Sequence, residues 1–395
     1  SRFWRWDTIM MILYLSAASL EFLFGVLNRF MIDPLGMYTD LDPSYISQFL
    51  STLGQATWYS SYVVQLFPIG VFIYWYSERP WVRKLSFAYV VLGSMTLITQ
   101  GSDSAFYAII AIVSSLFYFS FMENKYLIRW LEIMLIMLLS WRVIGFLQMA
   151  FPDAAVDPGT LMIFGSQNPL LWLVIVILAA VWFFARKADR ENNLDINKLK
   201  ILRTVYFAVL VLGILGGITY IILNSNGLLP ANLSSDNWYL LFNDKWGSDR
   251  GGSWRVTLDS IRQTITDDPV RFFFGAGPDG FFNTVYIYHS EFLFNKWGEN
   301  TILTCAHNEF LTQIVNVGIF GGIAYIGIFI SAIVRFAKAA EKHPETIAAI
   351  MCITAYMAHN FFCYQQIICT PVIFMIIGAG ECMARVGRKA IWETE

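Results

Sequence analysis

The sequence predicts an all-α polytopic membrane protein with about ten transmembrane helices and one large external segment that contains amphipathic helices. Its 395 residues are 56% hydrophobic and only 14% charged, whereas a soluble domain carries roughly 25% charged residues. Long apolar runs recur along the chain, and Lys and Arg gather in alternate connections between them. Together these observations indicate a chain that crosses a membrane many times.

Ten apolar runs have about the length that a membrane crossing requires. A helix needs about 20 apolar residues to span the hydrocarbon core, and we predict each run to be such a helix. They lie at about residues 8–27, 55–77, 85–101, 104–121, 130–151, 169–185, 204–223, 309–334, 346–364 and 366–386.

The distribution of basic residues predicts which helix ends face the cytoplasm, because short loops rich in Lys and Arg stay on that side. Alternate connections carry nearly all of the basic residues found in short loops. These clusters lie at residues 2–5, 79–84, 125–129, 186–203, 335–342 and 385–389. Both termini are therefore predicted to be cytoplasmic, and the long connection 224–308 is predicted to be external.

This division predicts three regions. Residues 1–223 form an N-terminal transmembrane bundle of about seven helices, residues 224–308 a large external loop, and residues 309–395 the C-terminal transmembrane helices with a cytoplasmic tail. A connection as long as 224–308 is usually functional or separately folded. Candidate catalytic and binding residues are therefore expected in this loop.

Within the external loop, SWRVTLDSIRQTITDDP predicts an amphipathic helix. Trp254, Leu258, Ile261 and Ile265 recur at three- and four-residue spacing, and Pro269 follows the end of the pattern. This apolar stripe is expected to lie either on the membrane surface or over the helix bundle. The GAG of FFFGAGPDGFF comes next. It is not a dinucleotide-binding fingerprint, because no strand-helix-strand unit surrounds it, and it is interpreted as a turn.

The stretch TCAHNEFL, residues 304–311, places one of only four histidines directly before an apolar run. Asn308 is a good N-cap residue and Glu309 suits the first turn of a helix. His307 is therefore predicted to stand at a helix N-terminus on the external side, where the end of the helix also favours a phosphate group.

Four elements of the second half occur in an order that resembles a known family. RGGSW (residues 250–254) has the form R-x-x-x-W, GAGPDGF (275–281) has the form GxGxxxF, and HNEFL (307–311) opens a helix in the form H-N-x-x-L. The fourth is a later helix that contains AYMAHNFF. Over residues 247–380 the chain resembles the O-antigen ligase and O-antigen polymerase superfamily of bacterial membrane glycosyltransferases, which are of the GT-C type.

The resemblance implies an enzyme. It would transfer a glycan from an undecaprenyl-diphosphate-linked donor to an acceptor hydroxyl at the outer face of the bacterial plasma (inner) membrane, usually with inversion and with no metal or other cofactor. The acceptor would be a glycan, a lipid or a wall polymer. On this pattern His307 is the candidate base or acceptor-positioning group, Arg250 is the candidate diphosphate ligand, and Asn308 belongs to the substrate-binding motif.

The chemistry of the residues agrees with these implied roles. A fork-shaped guanidinium suits phosphate oxygens, and an imidazole that titrates near neutral pH suits general base catalysis. No basic stripe with interleaved aromatic residues is present, so nucleic acid is not an expected partner.

Two polar residues of the first half are further candidates for substrate binding. Arg142 lies inside the predicted helix 130–151, where a charge is costly and usually functional; otherwise it forms a structural pair, for which Glu21 is one possible partner. Asp103, in TQGSDSAF, either holds an arginine or is a solvated turn residue.

Three residues of the second half complete the candidate set. Arg255 either shares in phosphate binding or is solvated. Trp254 either stacks on a sugar or anchors the amphipathic helix. His359, in the second AHN, either lines the same cavity or is a hydrogen-bonded interior histidine.

Two alternatives to this function remain open at this stage. Asp40 and Asp42 form a D-x-D in the first external loop, and a site centred on them would make the enzyme a metal-dependent member of the GT-C class. Alternatively, Arg142, Glu21 and His359 mark the path of a non-enzymatic flippase or transporter, although no repeated halves are evident.

Overall fold

The computed structural model describes residues 2–156, 158–299 and 302–386, and in these residues the regular structure is helical. Fourteen α-helices occur in this part of the chain. They are α1 (Arg2–Arg29), α2 (Ala56–Tyr76), α3 (Pro80–Thr99), α4 (Ser104–Phe119), α5 (Asn124–Ala150), α6 (Thr160–Ser166), α7 (Leu170–Arg190), α8 (Ile196–Ser225), α9 (Trp246–Asp267), α10 (Pro269–Phe274), α11 (Phe281–Trp297), α12 (Glu309–Ala339), α13 (Thr346–Asn360) and α14 (Thr370–Val386).

Each of the ten predicted runs corresponds to a helix, so the all-α polytopic class is confirmed. Among the described residues, α1, α3, α5, α7, α8 and α12 are long and apolar enough to cross a membrane. The helices α4, α13 and α14 are shorter, at 16, 15 and 17 residues. Almost none of the residues of α7 and α8 is buried within the protein, as expected for apolar helices that face lipid.

The chain divides into two compact units. The first takes in the described residues up to Lys200, Ala332–His359 and those from Gln366 onward. In this unit α3 packs against α1, α2 and α5, and α5 packs against α7. Small residues allow the close approaches, as where Gly70 of α2 meets the ring of Tyr89 and Gly93 of α3 meets Phe67.

The second unit takes in Ile201–Ser331 and Asn360–Gln365. Its core is built by α9, α11 and the first turns of α12. The buried apolar side chains are Val256, Phe281, Val285, Tyr286, Leu293, Leu303, Ala306 and Val315. The division predicted from the sequence at residues 223 and 308 follows chain order and stays a prediction.

Helix α9 occupies the predicted position, and the protein covers the predicted stripe only in part. Ile261 packs against the core of the second unit, whereas Leu258 and Ile265 are each 50% exposed. The fully buried face carries Val256 and small hydroxyl residues, which allow α11 to approach closely. A position of the stripe on the membrane surface stays a prediction. The hydroxyls of Thr257 and Ser260 stay satisfied by donating to backbone carbonyls one turn earlier, at 2.6 and 2.7 Å.

Helix α12 is interrupted at Gly318, whose φ of 70° is left-handed. The interruption frees backbone carbonyls, and the GAG turn fills the gap. Ala276 N–H donates to the carbonyl of Val315 at 3.1 Å, and Gly277 N–H donates to that of Asn316 at 2.9 Å. Gly275 and Gly277 have left-handed φ values of 83° and 95°, which only glycine adopts readily. The interpretation of this GAG as a turn is confirmed.

Gly318→Ala is expected to destabilise the protein by about 2 kcal/mol or more, since a methyl group there adds left-handed strain and meets the backbone of Phe273 and Phe274. The measurement is the midpoint of thermal unfolding in detergent. Gly327→Ala is the matched control in the same helix, because a methyl group at Gly327 meets open space. That control should be neutral or slightly stabilising. Equal midpoints for the two variants would contradict the role given to the interruption.

Candidate functional site

The first turns of α12 hold the His307 turn, residues 305–308, in place. As predicted, Asn308 caps the helix: its Oδ1 accepts from Leu311 N–H at 3.0 Å. Thr312 fixes the other end, because its hydroxyl accepts from Ala306 N–H at 3.0 Å and donates to the Asn308 carbonyl at 2.9 Å. His307 itself has a left-handed φ of 51°. A non-glycine residue in that region is strained and frequently marks a functional site.

The surroundings of His307 keep its imidazole neutral. The pKa of His307 is lowered to about 4, mainly by burial and also by the positive charge of Arg250, while a hydrogen bond to the backbone of Cys305 partly opposes both. The ring meets Tyr364 edge-on, with 5.4 Å between centroids. At pH 7 the ring therefore carries no proton on one nitrogen, which is the state a general base needs.

Arg250 also stands at the start of a regular helix. The preceding residues Gly247, Ser248 and Asp249 are all left-handed, so the regular part of α9 begins at Arg250. Its Nη1 donates to the Gly247 carbonyl at 2.7 Å. Lys296 stabilises this strained turn through an ion pair with Asp249 at 3.0 Å. Arg250 and His307 thus each lie at the positive end of a helix.

Three buried donors on α9 have no hydrogen-bond partner among the described residues. They are the hydroxyl of Ser253, Nε of Arg250 and Nε1 of Trp254. Arg250 and Trp254 are four positions apart and therefore lie on the same face of the helix. Buried donors are nearly always paired in folded proteins, so unpaired donors gathered on one helix mark a candidate ligand site.

Trp254 lies in an aromatic cluster with the segment 360–365. Its ring stacks on Phe362 with 5.7 Å between centroids and meets Phe361 edge-on at 5.6 Å. Trp246 adds a tilted contact at 5.2 Å. These contacts anchor α9, which was the anchoring alternative for Trp254. A stacked sugar stays a prediction.

Glu309 links the same segment to the start of α12. Its carboxylate is fully buried and accepts from the backbone N–H of Gln365 at 2.5 Å and from Nε2 of Gln313 at 2.7 Å. The first of these bonds holds the residue next to Tyr364, the ring that contacts His307. Glu309 therefore positions the surroundings of His307 in addition to occupying the first helical turn as predicted.

Arg255 is engaged by an acidic partner. Its Nε and Nη2 bind the two carboxylate oxygens of Asp244 at 2.8 and 3.0 Å, and its guanidinium lies 4.6 Å from the centre of the Phe292 ring. This bidentate pair fixes the chain before α9. A share in phosphate binding stays a prediction for Arg255.

His359 and Asp103 belong to the first unit. His359 is fully buried, and its Nε2 lies 3.0 Å from the Ser60 hydroxyl and 3.1 Å from the Ser104 hydroxyl. That is the hydrogen-bonded interior histidine that the sequence allowed. Asp103 precedes Ser104 at the start of α4 and makes no side-chain cap there. A substrate contact by either residue stays a prediction.

Arg142 is half-buried on α5 in the first unit. It donates from Nη1 to the Ser166 carbonyl at 2.9 Å and lies 5.1 Å from the centre of the Trp172 ring. Glu21, which the sequence offered as a partner, instead bonds to Thr52. Binding of substrate by Arg142 stays a prediction.

Asp40 and Asp42 lie exposed in the loop between α1 and α2. Among the described residues, no group of three His, Cys, Asp or Glu side chains is close enough to hold a metal ion. The absence of a metal requirement nevertheless stays a prediction.

Sequence reasoning missed Thr312 and Tyr364 and underrated Glu309. Thr312 and Glu309 carry a weak signal, since hydroxyl and acidic residues in a first turn often hold the preceding backbone. Tyr364 carries none that we recognise, because its contact with His307 joins distant parts of the chain.

Comparison with known proteins agrees with the order of motifs. Residues 154–326 match the family model described as O-antigen ligase. The match includes the R-x-x-x-W, GxGxxxF and H-N-x-x-L elements and confirms the resemblance seen in the sequence. The segment 360–365 lies outside it. No curated protein matches the chain.

Arg250→Gln is expected to raise the pKa of His307, because the variant removes the positive charge that disfavours the imidazolium. The measurement is a histidine NMR titration of the full chain in detergent. Arg255→Gln is the matched control on the same helix, since Asp244 already neutralises that guanidinium. It should leave the pKa of His307 unchanged. An equal effect of the two variants, or no shift in Arg250→Gln, would contradict the pairing.

Proposed function

We propose that the chain, which carries an O-antigen ligase domain over residues 154–326, is a membrane glycosyltransferase that acts as a ligase or polymerase. It would take a glycan from an undecaprenyl-diphosphate-linked donor and transfer it to the hydroxyl of a glycan, lipid or wall-polymer acceptor. The observation that carries this proposal is the pairing of His307 and Arg250, each at the start of a helix and close enough for one to shift the pKa of the other.

Arg250 is proposed to bind the donor diphosphate. Its Nε and the Nε1 of Trp254 are buried donors without described partners, and a diphosphate oxygen would satisfy them. Charge-assisted bonds from a guanidinium are among the stronger hydrogen bonds in proteins. The N-terminus of the regular part of α9 adds its partial positive charge. This arrangement would stabilise the negative charge that grows on the diphosphate as it leaves.

His307 is proposed to act as the general base. Its neutral ring would accept the proton of the acceptor hydroxyl while the hydroxyl oxygen forms a bond to the anomeric carbon. The bond between that carbon and the diphosphate oxygen breaks, the diphosphate departs with the bonding electrons, and His307 later returns its proton to solvent. A bound diphosphate would offset the charge of Arg250 and raise the pKa of His307, which strengthens the base.

The length of α12 supports placement of this pair at the membrane surface. Helix α12 has 31 residues and is interrupted at Gly318. The part from Gly318 to Ala339 alone is about 32 Å long at 1.5 Å per residue, which is enough to cross a hydrocarbon core of about 30 Å. The turns before Gly318 would then stand at head-group depth, where a lipid diphosphate lies. The basic residues near the other end of α12 favour an outer-face assignment for His307, with cytoplasmic termini.

His307→Ala and Arg250→Ala are each expected to reduce glycan transfer by about a hundredfold or more, since each removes a group that acts in the transition state. The assay uses purified protein, a defined undecaprenyl-diphosphate oligosaccharide and candidate acceptors. His343→Ala serves as the histidine control, because His343 precedes α13 and belongs to the first unit.

Both variants should insert and unfold like the unchanged protein. Full transfer by either variant would contradict the assigned roles. Movement of the lipid-linked glycan across the vesicle membrane, without transfer of the glycan to an acceptor, would favour the transporter alternative.

A chelator is expected to leave the transfer rate unchanged within about twofold, and Asp40→Asn/Asp42→Asn should do the same, because the proposed base and diphosphate ligands are protein groups alone. The measurement is the initial rate before and after EDTA treatment. The control is EDTA with excess Mg²⁺. Loss of activity that Mg²⁺ restores, together with an inactive Asp variant, would support the D-x-D alternative instead.

A further inference from the structure

A cavity in the first unit is lined by the basic ends of three candidate membrane spans. It has a volume of about 540 Å³ and lies where α3 and α5 begin and α7 ends. Its basic lining residues are Arg83, Lys125, Arg129, Arg186 and Arg190. The glycan-transfer site described above uses none of them.

The lining changes from charged to apolar along the helices. Phe87 lies one turn beyond Arg83 on α3, while Leu135 and Ile136 lie beyond Arg129 on α5. Phe87 is 46% exposed, so the apolar wall is open to the surface. A cavity with basic groups at one end and an apolar wall along the spans matches a molecule with an anionic head and a hydrocarbon chain.

Arg83 and Arg186, at the charged end, have hydrogen-bond donors that their protein partners do not fully satisfy. Glu132 is the shared partner of Arg83 at 3.3 Å and of Arg186 at 3.5 Å, and one carboxylate cannot neutralise two guanidinium groups. Nε of Arg83 is buried with no hydrogen-bond partner in the described residues. Lys125 and Arg129 differ, because two carboxylates serve them: Glu78 binds both, at 3.2 and 2.9 Å, and Glu123 also binds Lys125, at 3.0 Å.

We propose that this cavity binds the phosphate head group of an anionic phospholipid, with Arg83, Arg186 and Arg190 as its ligands and an acyl chain along Phe87 and Leu135. Guanidinium groups bind phosphate through charge-assisted bonds, and basic pockets between membrane helices bind anionic head groups. The apolar wall favours a lipid over free phosphate. By the charge distribution, the lipid belongs to the cytoplasmic leaflet. The proposal does not depend on the glycan-transfer activity.

The test measures lipid binding to the delipidated full chain by native mass spectrometry in detergent. Phosphatidylglycerol should bind at least about tenfold more tightly than phosphatidylcholine. Arg186→Gln/Arg190→Gln should weaken phosphatidylglycerol binding by about tenfold or more, as expected when charge-assisted bonds are lost. Binding of phosphatidylcholine should not change. Lys198→Gln is the matched control, since it removes an exposed positive charge outside the cavity.

The outcomes separate the possible sources of phosphate. Equal affinity for the two lipids, or an equal loss in Lys198→Gln, would overturn the proposal. Inorganic phosphate that binds with the same dependence on Arg186 and Arg190 and displaces the lipid would assign the site to free phosphate and overturn the lipid. Arg190→Gln alone separates loss of binding from misfolding, because the Arg190 side chain has no ion pair or hydrogen bond among the described residues. It should keep the unfolding midpoint and still weaken phosphatidylglycerol binding.

Discussion

The two backbone hydrogen bonds between the GAG turn and the interrupted turn of α12 are the constraint on which the second unit depends. A break in a helix leaves carbonyls without partners, and an unpaired backbone group is costly wherever water is scarce. Here the N–H groups of Ala276 and Gly277 supply the missing donors. The backbones of Gly275 and Gly318 approach so closely that neither position has room for a side chain. The turns of α12 that precede the break are thereby fixed against the segment between α10 and α11, and these turns support His307.

Three of the seven described non-glycine residues with a left-handed backbone lie where the proposed chemistry would occur. Ser248, Asp249 and His307 are non-glycine residues in the left-handed region, at a cost on the order of 1–3 kcal/mol each. Local bonds hold them there: Lys296 binds Asp249, and Thr312 bonds to the residues on both sides of His307. The effect is to place an imidazole and a guanidinium at two helix starts with little freedom to move. Such preorganisation is what electrostatic catalysis requires.

Much of this arrangement could be predicted from local sequence. The ten apolar runs, the cap at Asn308, the turn at Gly275–Gly277 and the family resemblance all depend on residues adjacent in the chain. The face of α9 could not be predicted, because a hydrophobic pattern favours Leu258 and Ile265, whereas the close approach of α11 selects the small residues Ser260 and Thr264. Nor could Tyr364 be predicted, since its position follows from contacts between distant segments, which composition and periodicity do not encode.

The contacts of residues 360–365 bear on how this protein can be divided. These residues lie well outside the stretch 154–326 that matches the family, yet they supply Tyr364 to the ring of His307 and the N–H that binds Glu309. A fragment cut at the limits of the family match would therefore have an incomplete site. Swaps between homologues that exchange only the motif-bearing loop would pair it with a foreign segment here. The smallest fragment that keeps the site complete must include both stretches, so it is discontinuous in sequence.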